Sequence, residues 1–258
     1  MSLLRSILPA KLYQTLRIHY QRFRLKHIAA DDQYSKKSHS EIFSEIYDNG
    51  LWAHGKEANY LPEGARYYSG SGSYNQSSAE YIHLITDYIR THNITAITDI
   101  GCGDFNIGRR ICEQNPSISY NGVDVVPSLI QYNNDNFGSE KIHFFCLDTL
   151  HQKIPPADLL LIRQVLQHLS NNDILTLTRN CFPGFSHILI TEHQPKPQYL
   201  IRENIEKTSG PNTRVGSLTG SGVYLDKFPF NYRWQRLLSI EDDNPHTQIN
   251  TYKILHSR

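Results

Sequence analysis

The stretch ITDIGCGDFNIGRRI, Ile97 to Ile111, decides how the rest of the chain is read. A β-like run ends in an acid, two glycines follow one residue apart, and the chain then takes on helical spacing. That is the outline of a nucleotide-binding loop. Gly101 and Gly103 let the backbone turn sharply and let a ligand approach where a Cβ would otherwise stand. A dinucleotide site asks for GxGxxG, with a helix N-terminus aimed at pyrophosphate. Here the next glycine is Gly108, so the spacing is wrong for that fingerprint. A phosphate-binding P-loop is excluded too, since no GKS or GKT follows. Asp104 within the loop would repel a pyrophosphate, whereas a cationic ligand without phosphate tolerates acids there.

Outward from this loop the pattern alternates. ITAITDI, SYNGVDVV, IHFFCLD, ADLLLIRQ and HILITEH read as strands. IGRRICEQN, PSLIQYNNDNFG and NNDILTLTRNCF read as helices between them, with Pro127 suited to a first turn. Such alternation predicts an α/β fold of Rossmann-like type, a mainly parallel sheet with helices on both faces. RWQRLLSIE and TQINTYKIL predict an antiparallel C-terminal edge. Upstream, SAEYIHLITDYIRTHN reads as a helix with Tyr81, Ile82, Ile85 and Ile89 facing inward. SEIFSEIYDNGLW reads as another, with Ser40 as N-cap and Ile42, Phe43, Ile46 and Tyr47 on one face. Between these two helices, YYSGSGSYNQS is a Gly/Ser loop.

The first 30 residues differ from the rest, with Arg5, Lys11, Arg17, Arg22, Arg24 and Lys26 and no acid up to residue 28. Leu12, Leu16, Tyr20 and Phe23 share a helical face, which predicts an N-terminal helical extension with a basic side. Its ordinary reading is a helix packed on the domain. Its alternative is a surface, residues 1–28, that touches anionic membrane. Residues 1–40 are thus expected to form an extension and linker, and 41–258 the main domain.

The bulk numbers set limits. The chain has 258 residues, 39% hydrophobic and 20% charged, which suits one folded domain with extensions. A net charge of +1 gives no electrostatic footprint for nucleic acid. No apolar run approaches the roughly 20 residues of a membrane span. The four cysteines, at 102, 112, 146 and 181, lack metal-like spacing. They suit reduced thiols, and the expected location is cytoplasmic, with the peripheral membrane contact as a variant. No metal is expected.

The next acids narrow the ligand. Asp124 ends the second strand, 21 residues after Gly103, where a carboxylate can accept ribose hydroxyls. Asp148 ends the third strand, and Gln164 and His168 follow the fourth. With the GCGDF loop, this order of motifs over residues 93–193 resembles the class I S-adenosylmethionine-dependent methyltransferases. Within them it resembles a bacterial group with a GCGDF-type loop, often associated with glycan or natural-product modification. The resemblance implies that Asp99, Gly101 and Gly103 line the methionine end of S-adenosylmethionine, Asp124 the ribose and Asp148 the adenine. Gln164 faces the same pocket. Two departures stand out: Phe105 occupies a position where a glycine is common, and Gln164 stands where an acid is expected.

By this resemblance the reaction is methyl transfer to a small-molecule or glycan-type acceptor, at oxygen. The alternatives are a nucleic-acid methyltransferase, opposed by the neutral charge and by RQVLQ after the fourth strand, and a non-catalytic cofactor-binding partner protein. An oxygen acceptor must lose its proton, and His168 is the first candidate base, with His193 and Glu192 behind it. Residues 208–232, rich in Gly, Ser, aromatics and Arg, are expected to shape the acceptor pocket.

Overall fold

The computed structural model describes residues 9, 12, 33–52, 66–75, 77–215 and 220–255. The basic helix expected over residues 1–28, and the lipid contact it would offer, lie outside the described residues apart from isolated positions. Helix α1 (His39–Asp48) and α2 (Ser77–His92) precede the alternating part. There follow β1 (Ala96–Ile100), α3 (Asn106–Gln114), β2 (Ser119–Asp124), α4 (Pro127–Phe137), β3 (Ile142–Cys146) and β4 (Leu159–Arg163). Then come α5 (Asn171–Cys181), β5 (His187–Pro195), β6 (Arg233–Glu241) and β7 (Thr247–Leu255). The seven strands form one sheet in the order β3-β2-β1-β4-β5-β7-β6. β1 to β5 pair in parallel, and β7 is antiparallel to both β5 and β6. The expected Rossmann-like sheet with an antiparallel C-terminal edge is present, with β7 as the reversed strand.

Local chemistry explains the elements. β4 is a continuous apolar run because both faces of the sheet are covered. Leu159 and Leu161 pack into one core with Tyr81, Ile85 and Ile111, and Leu160 and Ile162 into the other with Ile174 and Leu177. The inward face read for α2 is borne out, since Tyr81, Ile82, Ile85 and Ile89 are buried. Pro127 opens α4 as expected. The start of α1 differs from expectation. Its N-cap is Ser38, two residues before Ser40, because Ser38 and Glu41 form a reciprocal capping box.

Gly108 also gains a role. A Cβ there would overlap the Tyr120 hydroxyl and the Phe105 ring. It therefore lets α3 close against the sheet, the task of the third glycine in a dinucleotide loop, from a later position. Among the described residues no helix is long and apolar enough to cross a membrane.

Candidate active site

Between β1 and β4 the strand order reverses, and at that point the carboxyl ends of the strands open a crevice. A cavity of about 580 Å³ lies there. Its floor is the turn after β1, its walls are the segments after β2, β3, β4 and β5, and α1 and the Gly/Ser loop cover it.

The cover is tied down by Asp104. Its Oδ2 accepts from the Ser69 amide at 3.0 Å and from the Tyr74 hydroxyl at 2.7 Å, and its Oδ1 from the Asn106 amide at 3.2 Å. The Asp104 amide in turn donates to Ser69 Oγ at 2.7 Å, which lies 3.0 Å from the Tyr47 hydroxyl. Arg163 at the end of β4 donates to the Gly72 carbonyl at 2.6 Å, and its guanidinium lies over the Tyr81 ring. Ser69 to Ser73 all line the cavity, so the Gly/Ser loop is a wall and not a loose linker. Gly103 has φ +55, and a Cβ on it would strike Ser69. Gly101 has φ +71, and a Cβ on it would strike Val165. Both glycines are required by the turn and by close protein neighbours.

Carboxylates concentrate at the cofactor end predicted from the sequence. Asp99 accepts from the Tyr120 hydroxyl at 2.6 Å, and burial pushes its carboxyl up to about 7. Asp124 accepts from the amides of Gly103, Val125 and Val126 at 3.2, 2.7 and 3.2 Å. Burial still raises its carboxyl above the ordinary range, and Asp104 is raised by burial as well. Buried charges of one sign are costly, and a cationic occupant would relieve that cost. Asp148 lies two residues past β3. Its Oδ1 accepts from the Leu150 amide at 3.0 Å, and its Oδ2 is 4.0 Å from His39 Nδ1.

Gln164 lines the cavity in a left-handed conformation (φ +56), with its side chain against Gly72. His168 also lines the cavity, at the end of the short 3₁₀ turn Leu166–His168. The Trp52 ring lies 5.1 Å from the His168 ring. Burial, with the positive Lys207 nearby, pushes the His168 imidazole down to about 3. His193 lines the cavity from the end of β5 and pairs with Asp242 at 2.9 Å.

Glu192 does not reach the cavity. Neighbours on a strand face opposite ways, so Glu192 shares the side of Ile188 and Ile190 while His193 takes the other. Beneath the turn after β4, Glu192 accepts from the Leu166 and Gln167 amides at 2.9 and 3.2 Å, and burial raises it to about 8. It is 1% exposed and holds that turn in place.

The expected acceptor-shaping segment divides in two. Pro211 and Thr213 line the cavity. Val223, Leu225 and Phe230 instead enter the core under α5, and residues 216–219 lie outside the described residues. Arg214 pins the first part, donating to the Ile205 and Leu166 carbonyls and to Asn171 Oδ1 at 2.9, 3.1 and 2.9 Å.

The cavity also holds residues the sequence reading did not reach: Arg163, His39 and Asp242. His39 Nε2 lies 3.2 Å from Asp173 Oδ2, and that hydrogen bond raises the imidazole above its ordinary value. Arg163 directly follows the apolar run of β4, a signal that was available. His39 and Asp242 carry no motif.

Residues 28–191 match the O-methyltransferase domain family. Pluviatolide O-methyltransferase of Sinopodophyllum hexandrum is 27% identical over 92 residues, 36% of this chain and 23% of that protein. The match thus spans about a quarter of that curated relative. Among solved structures, the N-methyltransferase NodS of Bradyrhizobium japonicum is similar at 12% identity and a TM-score of 0.49, covering 70% of this chain and 89% of that one. A structure described as a putative O-methyltransferase of Nostoc punctiforme is similar at 14% identity and a TM-score of 0.49, covering 70% and 58%. With the family match covering well over half of its length, the chain belongs to the O-methyltransferase domain family, whose methyl donor is S-adenosylmethionine.

Proposed function

We propose that the chain transfers a methyl group from S-adenosylmethionine to a hydroxyl oxygen of a small-molecule or glycan-type acceptor. The observation that carries this is the set of buried carboxylates, Asp99, Asp104 and Asp124, gathered at the topological switch point of a chain in this family. They suit a donor that brings positive charge and no phosphate. Arg163 Nε, buried without a hydrogen-bond partner among the described residues, offers a donor for a carboxylate.

The donor supplies a methyl group already activated by its sulfonium. The residues of this chain bind and orient. Asp99, Gly101 and Gly103 border the methionine end. Asp124 serves the ribose. A carboxylate has about four acceptor positions, and three backbone amides use three of them, which leaves Oδ2 open to one further donor. Asp148 serves the adenine, and Gln164 meets the cofactor from the turn after β4, its side chain against Gly72 of the Gly/Ser wall. Trp52, Leu169, Pro211 and Thr213 border the acceptor. The narrower kinship with a GCGDF-loop group is supported by Asp104, which fastens the cover, and by Phe105, which is 1% exposed against Tyr120, Phe137 and Phe144.

Calorimetry tests the reading. The chain binds S-adenosylmethionine and S-adenosylhomocysteine and not NAD. Asp124→Ala weakens both by roughly the 1.5–3 kcal/mol of a hydrogen bond to a charged group. Unchanged affinity in that variant removes Asp124 from the site. Methyl-labelled donor incubated with lipid, glycan, protein and small-molecule fractions then identifies the acceptor class.

A further inference from the structure

We infer that helix α1 is a lid over the cavity, latched by the protonated ring of His39 between Asp173 and Asp148, and that loss of this proton frees the lid and speeds product release. The product is S-adenosylhomocysteine, so the release step rests on the methyl-transfer reading above, while the latch itself does not.

Helix α1 packs largely apart from the two cores that flank the sheet. Its Ile42 and Ile46 form a small cluster with Tyr34, and Phe43 and Trp52 pack against it. Phe43 and Tyr47 also reach Val126 and Leu129 at the start of α4. Lifting such a satellite exposes less apolar surface than opening either core. His39, Phe43, Tyr47 and Trp52 all line the cavity, so the face that would lift is the face that covers the ligand.

The polar ties of α1 lie toward its two ends. Tyr47 meets Ser69, which belongs to the cover itself. His39 reaches the body. Its Nε2 lies 3.2 Å from Asp173 Oδ2 on α5, and its Nδ1 lies 4.0 Å from Asp148 Oδ2 after β3. Asp173 Oδ2 also accepts from Ser209 Oγ at 2.5 Å, and the Ser209 segment runs on to the cavity residues Pro211 and Thr213. One carboxylate thus joins the lid, the acceptor-side segment and the start of α5.

The charge on the ring sets the strength of the tie. Asp173, on α5, and Asp148, after β3, are the charged groups that act on His39, and both favour the imidazolium. The hydrogen bond to Asp173 is the largest cause, burial opposes it, and the ring is raised above its ordinary value of 6.5 while the lid is shut. The closed lid therefore binds this proton more tightly than the open one. The latch is at full strength below the ordinary value and is lost as pH rises through the raised one. Neutral His39 keeps one N–H for Asp173 but turns the Nδ1 lone pair toward the Asp148 carboxylate, and the remaining bond is no longer one between two charges.

Trp52 reports the lid. Its ring lies 5.2 Å from that of Tyr47 and 5.1 Å from that of His168, and burial holds His168 down to about 3, so His168 does not titrate between pH 6 and 9. The chain has two tryptophans, and Trp234→Phe leaves Trp52 as the sole one. In that background acrylamide, an uncharged quencher, should quench Trp52 more strongly as pH rises from 6 to 9. His39→Gln should be flat at the high level, and His39→Lys, cationic throughout, flat at the low one. Release of labelled S-adenosylhomocysteine into unlabelled excess should quicken by about tenfold over the same range, the worth of one hydrogen bond to a charged group, and should not do so in His39→Gln. Asp99, pushed up to about 7 by burial, titrates in both proteins, so release is read as the difference between them. Asp173→Asn should lose the same pH dependence and carries the test if His39→Gln fails to fold. Quenching that stays flat in the parent, or still rises with pH in His39→Gln, overturns the latch. Quenching that rises while release does not change overturns the claim that α1 retains the product. Failure to bind S-adenosylhomocysteine at all refutes the methyl-transfer reading, and the quenching then decides the latch alone.

Discussion

Replacing Asp99 by Asn should make the protein more stable and worse at binding its cofactor. Asp99 is 8% exposed, and burial pushes its carboxyl from 3.8 to about 7. The folded state therefore binds this proton more tightly than the unfolded state does. The sign follows: stability falls as pH rises from the unfolded value toward 7, at about 1.4 kcal/mol per pH unit for one such group. Across that interval of about three pH units the ionised Asp99 costs about 4 kcal/mol. Asn carries no charge, and its Oδ1 still accepts from the Tyr120 hydroxyl, which is 2.6 Å from Asp99. So Asp99→Asn should match the parent near pH 4 and exceed it by about 4 kcal/mol near pH 8. The measurement is urea unfolding of both proteins over that range. Subtracting the two curves isolates Asp99 together with its charge coupling to Asp124. A stability difference that stays flat with pH would refute the reasoning. Calorimetry on the same samples should show weaker S-adenosylmethionine binding in the variant, as expected of a charge kept for its ligand at a cost in stability.

Two other substitutions test the loop and its cover. Asp104→Ala removes the acceptor for Ser69 N and the Tyr74 hydroxyl, so chymotrypsin should cleave faster at Tyr67, Tyr68 or Tyr74, and unchanged cleavage would show that the cover is held elsewhere. Gly101→Ala forces an L-residue to φ +71 and drives a Cβ into Val165. It should destabilise by about 1–3 kcal/mol, with part of the loss recovered in a Gly101→Ala, Val165→Ala double variant; no recovery would leave the backbone alone responsible.

Much of the fold could be read because the signals were local. β4 shows four apolar residues in a row, Leu159 to Ile162, and α2 shows its inward face at helical spacing. Pro127 marks the start of α4. The GCGDF loop could be read as a site because a GxG after a strand has few structural uses, and Asp124 and Asp148 then fall near strand ends. Where the reading erred, a stronger local interaction had won. Ser38 displaces Ser40 as cap because Glu41 answers it three residues later. Gly108 looked out of place because spacing was weighed before the packing that a missing Cβ allows.

The acceptor side was far less legible, and Glu192 shows why. Adjacent acid and imidazole at a strand end look like one catalytic pair, yet the strand's period of two sends them to opposite faces of the sheet. Ile188, Leu189 and Ile190 are all apolar and all buried, because both faces of the sheet are covered, so the local pattern does not tell which face takes Glu192. Asp242 could not be found this way. It meets His193 only because β7 returns antiparallel beside β5, with His193 opposite Ile249, and the turn before β7 then carries Asp242 over the strand end. Contacts of this kind depend on the pairing register of distant strands, which no local pattern encodes. The same holds for His39, set by α1 against Asp173 on α5, 134 residues away. A Rossmann-like sheet thus writes its cofactor site into loops that follow single strands, while its acceptor site is assembled from segments that meet only once the sheet has closed.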